Sequence, residues 1–167
     1  MNKRQVFDKL ISYANQQQLK VEFSDDVNIA NGNSWFSPDE RKLMVPSEAL
    51  IFDDGKNQEL YYLSTFCHEF GHSTMLPLGR KPKIEDLVER AKEELVAELT
   101  AFLICSELDD ISNYQKKILE LKNITYLSSW GKNAGIKFDD MTSFNTVYNK
   151  ALAEAQQAKK LLLGGAE

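Results

Sequence analysis

The sequence contains little of what several common protein classes require. Its 167 residues include only two cysteines, Cys67 and Cys105, which are too few for a disulfide framework. No apolar run approaches the roughly 20 residues that span a bilayer, and the amino-terminal residues 1–5 lack the apolar segment of a secretion signal. A reducing, cytoplasmic setting without a membrane partner is therefore expected.

Acidic residues outnumber basic ones, with 25 Asp and Glu against 20 Lys and Arg. The formal net charge is −5, which argues against a broad electrostatic grip on nucleic acid. The one dense basic cluster consists of Arg80, Lys81 and Lys83, and we expect it to be a solvated loop because charge clusters usually are. Nucleic acid is therefore a doubtful partner.

Hydrophobic periodicity predicts one α+β domain over residues 1–167. A small antiparallel sheet of about three strands is expected between Val21 and Pro46, where short aromatic and β-branched stretches alternate with turn residues. A mostly helical carboxyl-terminal part should follow. Helices are predicted over residues 3–17, 58–74, from Ile84 or Ala91 to Leu108, over 113–130 and over 143–163, with breaks in the chain at Gly131 and Gly135.

Both histidines of the chain lie in one short segment, His68–His72 (HEFGH). Positions four apart on a helix lie nearly above one another, so both imidazoles can reach one metal ion. Glu69 then lies beside that ion, where it can accept a proton from an attacking water. Two imidazoles and a carboxylate base at this spacing are typical of zinc peptidases.

A catalytic zinc ion usually has three protein ligands, so the segment needs a further one. Cys67 points about a quarter turn away from the histidine beside it, and we interpret it as a buried core thiol. The other candidates are Glu93, Glu94 and Glu98, which lie among small and apolar residues where a carboxylate is costly to bury without a cation. We expect one of the three to bind the metal; the alternative is a solvated charged face.

The histidines lie in Tyr61–Thr74 (YYLSTFCHEFGHST) and the carboxylates in Ala91–Leu99 (AKEELVAEL). Together these two segments resemble the zincin-like metallopeptidase domain of ArdC-type antirestriction proteins. Shorter agreements are FSP at 36–38, MVP at 44–46, CSEL at 105–108, YLSSW at 126–130 and AQQA at 155–158. The resemblance covers about residues 20–163.

The resemblance implies a zincin-like fold and a protein that phages or plasmids carry to evade host restriction. Members of this family commonly join the peptidase domain to an amino-terminal domain that binds single-stranded DNA. Only about twenty residues precede the resembling region here, so we expect that module to be lacking. The chain also departs from the family after the second histidine, where Met75–Arg80 replaces a more polar and basic stretch.

The spacing of Glu94 and Glu98 is similar to that in glutamate-type zincins, whose first carboxylate binds zinc and whose second steadies a ligating histidine. This similarity implies that His68, His72 and Glu94 hold Zn²⁺, and that Glu98 supports a histidine from behind. The reverse assignment of the two glutamates stays open. Glu69 would serve as the general base.

The predicted function is zinc-dependent hydrolysis of an amide bond in a protein or peptide substrate, of antirestriction type. Two alternatives remain: a regulatory protease that cleaves a repressor, and a binding protein whose metal site is structural or vestigial. Tyr126 or Tyr62 could donate a hydrogen bond to the developing oxyanion, although a tyrosine at helical spacing more often packs in the core. The sequence leaves the substrate and the oligomeric state open.

Overall fold

The computed structural model describes residues 1–53, 58–83, 85–135 and 140–164. Within these ranges six α-helices and three β-strands form, with a short 3₁₀ turn at Ile29–Asn31. In chain order they are α1 (Lys3–Gln16), β1 (Lys20–Ser24), β2 (Trp35–Ser37), β3 (Lys42–Pro46), α2 (Glu48–Phe52), α3 (Gln58–Ser73), α4 (Leu87–Ser106), α5 (Asn113–Asn133) and α6 (Met141–Leu163). The predicted α+β class is confirmed.

The three strands form one sheet in the order β1–β3–β2. β2 pairs with β3 in the antiparallel sense, but β1 pairs with β3 in parallel, with Val21 opposite Leu43. The prediction of an antiparallel sheet is therefore wrong for one of its two pairings. The reason is that residues 25–34 do not form a tight hairpin between β1 and β2, so that β3 can insert between its two predecessors. This order places β2 at an edge of the sheet.

Two groups of buried apolar side chains hold the helices on either side of the α3–α4 contact. The first group joins α3 to α1 and the sheet and includes Val6, Leu10, Leu43, Val45, Leu63, Phe66 and Phe70. The second joins α4 to α5 and α6 and includes Leu95, Leu99, Ala134, Ala151 and Ala155. Because α3 and α4 each pack tightly against other elements on the side away from their contact, the position of each helix relative to the other is fixed.

Gly71 determines how closely α3 approaches α4. A Cβ atom built at this position would lie 3.0 Å from Cα of Ala97, 3.1 Å from its carbonyl oxygen and 3.3 Å from Cβ of Thr100. Two of these neighbours are backbone atoms, which cannot turn aside as a side chain can. The absence of a side chain at residue 71 thus permits the helix spacing on which the facing side chains of α3 and α4 depend.

We expect Gly71→Ala to destabilise the protein, although alanine is the better helix former. The gain in helix propensity is about 1 kcal/mol, whereas overpacking of a tight interior typically costs about 1–3 kcal/mol. The net result should be a loss of up to about 2 kcal/mol in the free energy of unfolding, measured by urea denaturation of the metal-free protein. Unchanged or higher stability would show that α4 can move away from α3 without cost.

Most helix ends lie close to their predicted positions, but the start of α4 and the end of α5 differ. α4 begins at Leu87, between the two predicted starting points, because the side chain of Asp86 caps the first turn by accepting a hydrogen bond from the backbone N–H of Val88. Of the predicted starts, Ile84 lies outside the described residues. Among the residues that the structure describes, no α-helix combines the length and the hydrophobicity that a membrane span requires.

The predicted break at Gly131 is wrong. This glycine is buried in the last turns of α5, which continues to Asn133. A single glycine costs a helix about 1 kcal/mol, and packing of that helix on its neighbours can offset this amount. The chain does break at Gly135, whose φ of +87° is a left-handed conformation that glycine adopts without strain.

Candidate metal centre

Three side chains from α3 and α4 bring a nitrogen or oxygen atom to one place. Nε2 of His68 lies 3.2 Å from Nε2 of His72, and Oε2 of Glu94 lies 3.4 Å from the first nitrogen and 3.7 Å from the second. The histidines are one turn apart on α3, and the packing of α4 against that turn supplies the carboxylate. The structure therefore groups the three residues that were expected to be ligands.

The size of this triangle fits a tetrahedrally coordinated zinc ion. Bonds of about 2.0–2.1 Å at tetrahedral angles place neighbouring ligand atoms about 3.3–3.4 Å apart. The three separations, 3.2, 3.4 and 3.7 Å, lie around that value. Two imidazole nitrogens and a carboxylate oxygen are also a donor set that suits zinc, and three protein ligands leave one tetrahedral position for substrate chemistry.

The other ring nitrogen of each histidine faces a second carboxylate. Nδ1 of His68 lies 3.1 Å from Oε2 of Glu98, and Nδ1 of His72 lies 3.3 Å from Oε1 of Glu93. A carboxylate acceptor favours the proton on Nδ1, so the lone pair on Nε2 is directed at the metal position. Glu98 thus lies behind a histidine, where the likeness to glutamate-type zincins places it. Glu93, which the sequence left among the candidate ligands, has the same relation to the other histidine.

The carboxylates also control the charge of the histidines. Burial lowers the pKa of His72, but the hydrogen bond to Glu93 and the negative charge of Glu94 outweigh it and raise this pKa to about 10. The pKa of His68 is likewise raised, because its contact with Glu94 and its hydrogen bond to Glu98 outweigh burial. Burial favours the neutral form of Glu94, yet its contacts with both histidines hold its pKa far below the usual range. Zinc binding would therefore be coupled to the release of protons.

Glu69 lies in the same turn of α3 and lines the same cleft as the three grouped residues. Its side chain is buried, and its Oε1 accepts a hydrogen bond of 2.9 Å from Oγ of Ser34. Ser34 immediately precedes β2, so the edge of the sheet orients this carboxylate. Sequence reasoning missed Ser34, because a serine in a turn gives no sign of a partner 35 residues away.

Of the two tyrosines considered as oxyanion donors, Tyr126 reaches the centre. Its hydroxyl donates a hydrogen bond of 2.7 Å to Oε2 of Glu94, and its ring packs edge-on against His68 with the centroids 5.6 Å apart. Burial and the negative charge of Glu94 raise the pKa of Tyr126, which keeps the phenol neutral and able to donate. Tyr62 is instead buried in the core and donates to the backbone carbonyl of Val27.

The centre opens into a cleft of about 800 Å³. Residues of β2 and the turn before it line one part of the cleft, and residues of α4 and α5 line another. Several of the lining side chains are aromatic: Trp35, Phe36, Tyr61, Tyr126 and Trp130. Two cations also border the cleft, with Arg90 5.7 Å from the ring centroid of Trp130 and Lys122 5.0 Å from that of Tyr61. A cleft of this size and lining is typical of sites that bind a ligand.

The expectation of a solvated basic loop holds for Lys81 and Lys83, which are exposed, but is wrong for Arg80. The Arg80 side chain is only 10% exposed, and its Nη2 lies 2.9 Å from Oε1 of Glu93. The turn after α3 folds back towards α4 and carries Arg80 inward. A contact made by folding a loop over a neighbouring helix leaves no periodic signal in the sequence, so Arg80 could not be separated from the two lysines beside it.

Cys67 lies in the core rather than in the ligand group. It and Cys105 are both fully buried with free thiols, so the interpretation of Cys67 as a core thiol is confirmed. A hydrogen bond to Cys105, together with burial, raises the pKa of Cys67 well above its ordinary value. Zinc binds the thiolate form, which this environment disfavours.

Comparison with known families agrees with this geometry. A family described as zincin-like metallopeptidase matches residues 15–142 of the chain. No match was found among curated proteins or among solved structures. The matched stretch contains the grouped histidines and glutamates, Ser34, Arg80 and Tyr126.

Proposed function

The chain belongs to the zincin-like metallopeptidases, and from this premise we propose that it is a zinc-dependent peptidase of the glutamate-ligand type. In this proposal His68, His72 and Glu94 hold Zn²⁺, and Glu69 is the catalytic base. The observation that carries the proposal is the ligand triangle, whose sides of 3.2, 3.4 and 3.7 Å suit a tetrahedral ion. The substrate would be an amide bond of a protein or peptide lying in the cleft.

The chain's own side chains would move the protons of this reaction. Zinc, when bound, supplies Lewis acidity that polarises the scissile carbonyl and lowers the pKa of water to about 7. Glu69 accepts a proton from the attacking water while the water oxygen bonds to the carbonyl carbon. The same proton passes to the amide nitrogen as the C–N bond breaks, so Glu69 returns to its carboxylate form.

Ser34 and Tyr126 would orient the reacting groups. Ser34 holds Oε1 of Glu69 at 2.9 Å, which leaves Oε2 to accept and return the proton. Tyr126 is a neutral phenol whose hydroxyl already reaches Oε2 of Glu94, so it is placed to donate to the oxyanion that develops on the carbonyl oxygen. A donor of this kind commonly lowers the barrier by about 3 kcal/mol.

We further propose that this activity serves antirestriction, in a protein that a phage or plasmid carries and that works in the cytoplasm of the host cell. The support is the resemblance of residues 61–74 and 91–99 to ArdC-type proteins. A reducing cytoplasm would also keep Cys67 and Cys105 as the free thiols that they are here. The two alternatives are cleavage of a repressor and binding without hydrolysis.

The purified protein should contain one zinc ion per chain and lose its peptidase activity when that ion is removed. Zinc content would be measured by mass spectrometry of the metal, and activity by release of fluorescent peptides from labelled casein. Dialysis against 1,10-phenanthroline should reduce hydrolysis to background, and one equivalent of Zn²⁺ should restore it. Mg²⁺ should not, because it prefers six oxygen ligands. Full activity after complete removal of zinc would refute the proposed function.

A further inference from the structure

We propose that Arg80 is a positioning residue of the metal centre, which acts through Glu93 to hold His72 with Nε2 directed at the zinc position. The inference rests on the proposed function, since it assigns a task to residues around the same ion. It adds to the centre a residue from the loop after α3, outside both the histidine segment and the glutamate helix.

The contact between Arg80 and Glu93 uses two donors and two acceptors. Nε of Arg80 donates to Oε2 of Glu93 at 3.0 Å, and Nη2 donates to Oε1 at 2.9 Å. This paired geometry fixes the plane of the carboxylate as well as its position. Oε1 is also the atom that lies 3.3 Å from Nδ1 of His72. The orientation of the imidazole therefore depends on a carboxylate that the guanidinium holds in place.

The same guanidinium also holds the helix that carries the histidine. Nη2 of Arg80 also lies 3.2 Å from the backbone carbonyl oxygen of Gly71 and 3.1 Å from Oγ1 of Thr74, and these two acceptors share its second N–H group. Gly71 immediately precedes His72, near the carboxyl end of α3, where a positive charge is favourable to the helix dipole. One side chain thus binds the backbone next to the ligand and the carboxylate behind the ligand.

A tight turn delivers Arg80 to this position. The backbone N–H of Arg80 donates to the carbonyl of Met75 at 2.8 Å, and Gly79 has a φ of +69°, which reverses the chain. The side chains of Arg80 and Glu93 are 10% and 5% exposed. Removing the guanidinium would leave a buried carboxylate without its cation, and that carboxylate would then turn or draw in water. Either change would alter its hydrogen bond to the histidine.

Lysine should not replace arginine here, because an ammonium group is a point charge and lacks the planar fork that holds both carboxylate oxygens. In Arg80→Lys we expect zinc to bind about 10–100-fold more weakly, the range typical of losing a residue that supports a metal-binding histidine. Glu93→Gln should have a similar effect. Lys81→Gln is the matched control, since it removes the neighbouring but exposed cation, and its zinc affinity should equal that of the wild type.

The two histidines give a readout that a general loss of stability would not produce. They are the only histidines in the chain, and ¹⁵N NMR of the zinc-loaded protein reports on which ring nitrogen carries the proton. We expect the Nδ1–H signal of His72 to weaken or shift in Arg80→Lys, while His68, which Glu98 holds, stays unchanged. If both histidines changed alike, Arg80 would only stabilise the fold and the proposal would be overturned.

Zinc affinities of the single and double variants complete the test, measured by competition with a chromophoric chelator. If Arg80 acts mainly through Glu93, Arg80→Lys should weaken zinc binding much less in the Glu93→Gln background than in the wild type. Full multiplication of the two effects would overturn the proposal. Wild-type zinc affinity in either single variant would also overturn the proposal. If Arg80→Lys does not fold, wild-type zinc affinity in Glu93→Gln would still overturn it. A wild-type protein that binds no zinc would instead refute the proposed function.

Discussion

Replacing Glu69 with glutamine should remove most of the amide hydrolysis while zinc stays bound. Glutamine keeps the shape of the side chain and can still accept a hydrogen bond from Ser34, but its amide cannot take a proton from water. General-base catalysis typically contributes a factor of about 10²–10⁴, so kcat/KM should fall by that amount. Hydrolysis of labelled casein and the zinc content of the same preparation would be measured together.

Glu120→Gln is the matched control for this experiment. Glu120 is an exposed glutamate on α5 that pairs with Lys117, so the same chemical change there should leave activity and zinc content unaltered. If Glu69→Gln retained most of the wild-type activity, another group would be the proton acceptor. If it lost its zinc, the defect would lie in the assembly of the centre and not in proton transfer.

The same variant separates the biological alternatives. In a restricting host, plating efficiency of an unmodified phage would be compared with and without each protein. Under the antirestriction proposal the wild type protects the phage and Glu69→Gln does not, because protection depends on hydrolysis. Full protection by Glu69→Gln would favour a binding protein with a vestigial site. No protection by an active wild-type peptidase would favour a different target, such as a repressor.

Glu94→Ala should lose zinc, whereas Glu98→Ala should bind it more weakly. Oε2 of Glu94 is one corner of the ligand triangle, while Oε2 of Glu98 contacts the far side of the His68 ring. Loss of a supporting hydrogen-bond partner typically costs about 10–100-fold in metal affinity, and we expect loss of a direct ligand to exceed that range. Competition with a chromophoric chelator would give both affinities, and circular dichroism of the metal-free proteins would verify folding.

Glutamine variants separate the loss of a carboxylate from the loss of side-chain packing that alanine also causes. Glu94→Gln keeps an oxygen for the hydrogen bond from Tyr126 but weakens a charged metal ligand to a neutral one. Glu98→Gln makes the same change behind His68. As with the alanine variants, we expect the Glu94 variant to bind zinc more weakly than the Glu98 variant. Stoichiometric zinc in Glu94→Ala together with its loss in Glu98→Ala would reverse the assignment of the two glutamates.

Much of the fold follows from local patterns. The predicted helix over 3–17 is observed at Lys3–Gln16, and the one over 58–74 at Gln58–Ser73. Periodic apolar residues and capping side chains act within a few residues of one another, so the sequence alone contains them. Local patterns did not predict the parallel pairing of β1 with β3 or the continuation of α5 through Gly131. Both depend on how distant parts of the chain pack, and neither has a local pattern.

The candidate site also combines features that local sequence patterns predict with features that depend on tertiary packing. The four-residue spacing of His68 and His72 places both imidazoles on one side of α3 wherever that helix lies. Glu93 and Glu94 are adjacent on α4, and nothing local states which of them meets the ligand nitrogens and which lies behind a ring. Arg80 and Ser34 come from a loop and a strand edge, so their contacts exist only once these segments fold against the two helices.

Helical spacing is enough to predict a helix with a base and two histidines that can reach one metal ion, a second helix with carboxylates, and the zinc chemistry that such donors favour. The triangle of His68, His72 and Glu94, the carboxylate behind each histidine and the contact from Arg80 become visible only in the folded chain. This is because helical periodicity sets the direction of side chains on one helix only. The rotation and spacing between two helices depend instead on packing, here on the close approach that Gly71 allows against Ala97.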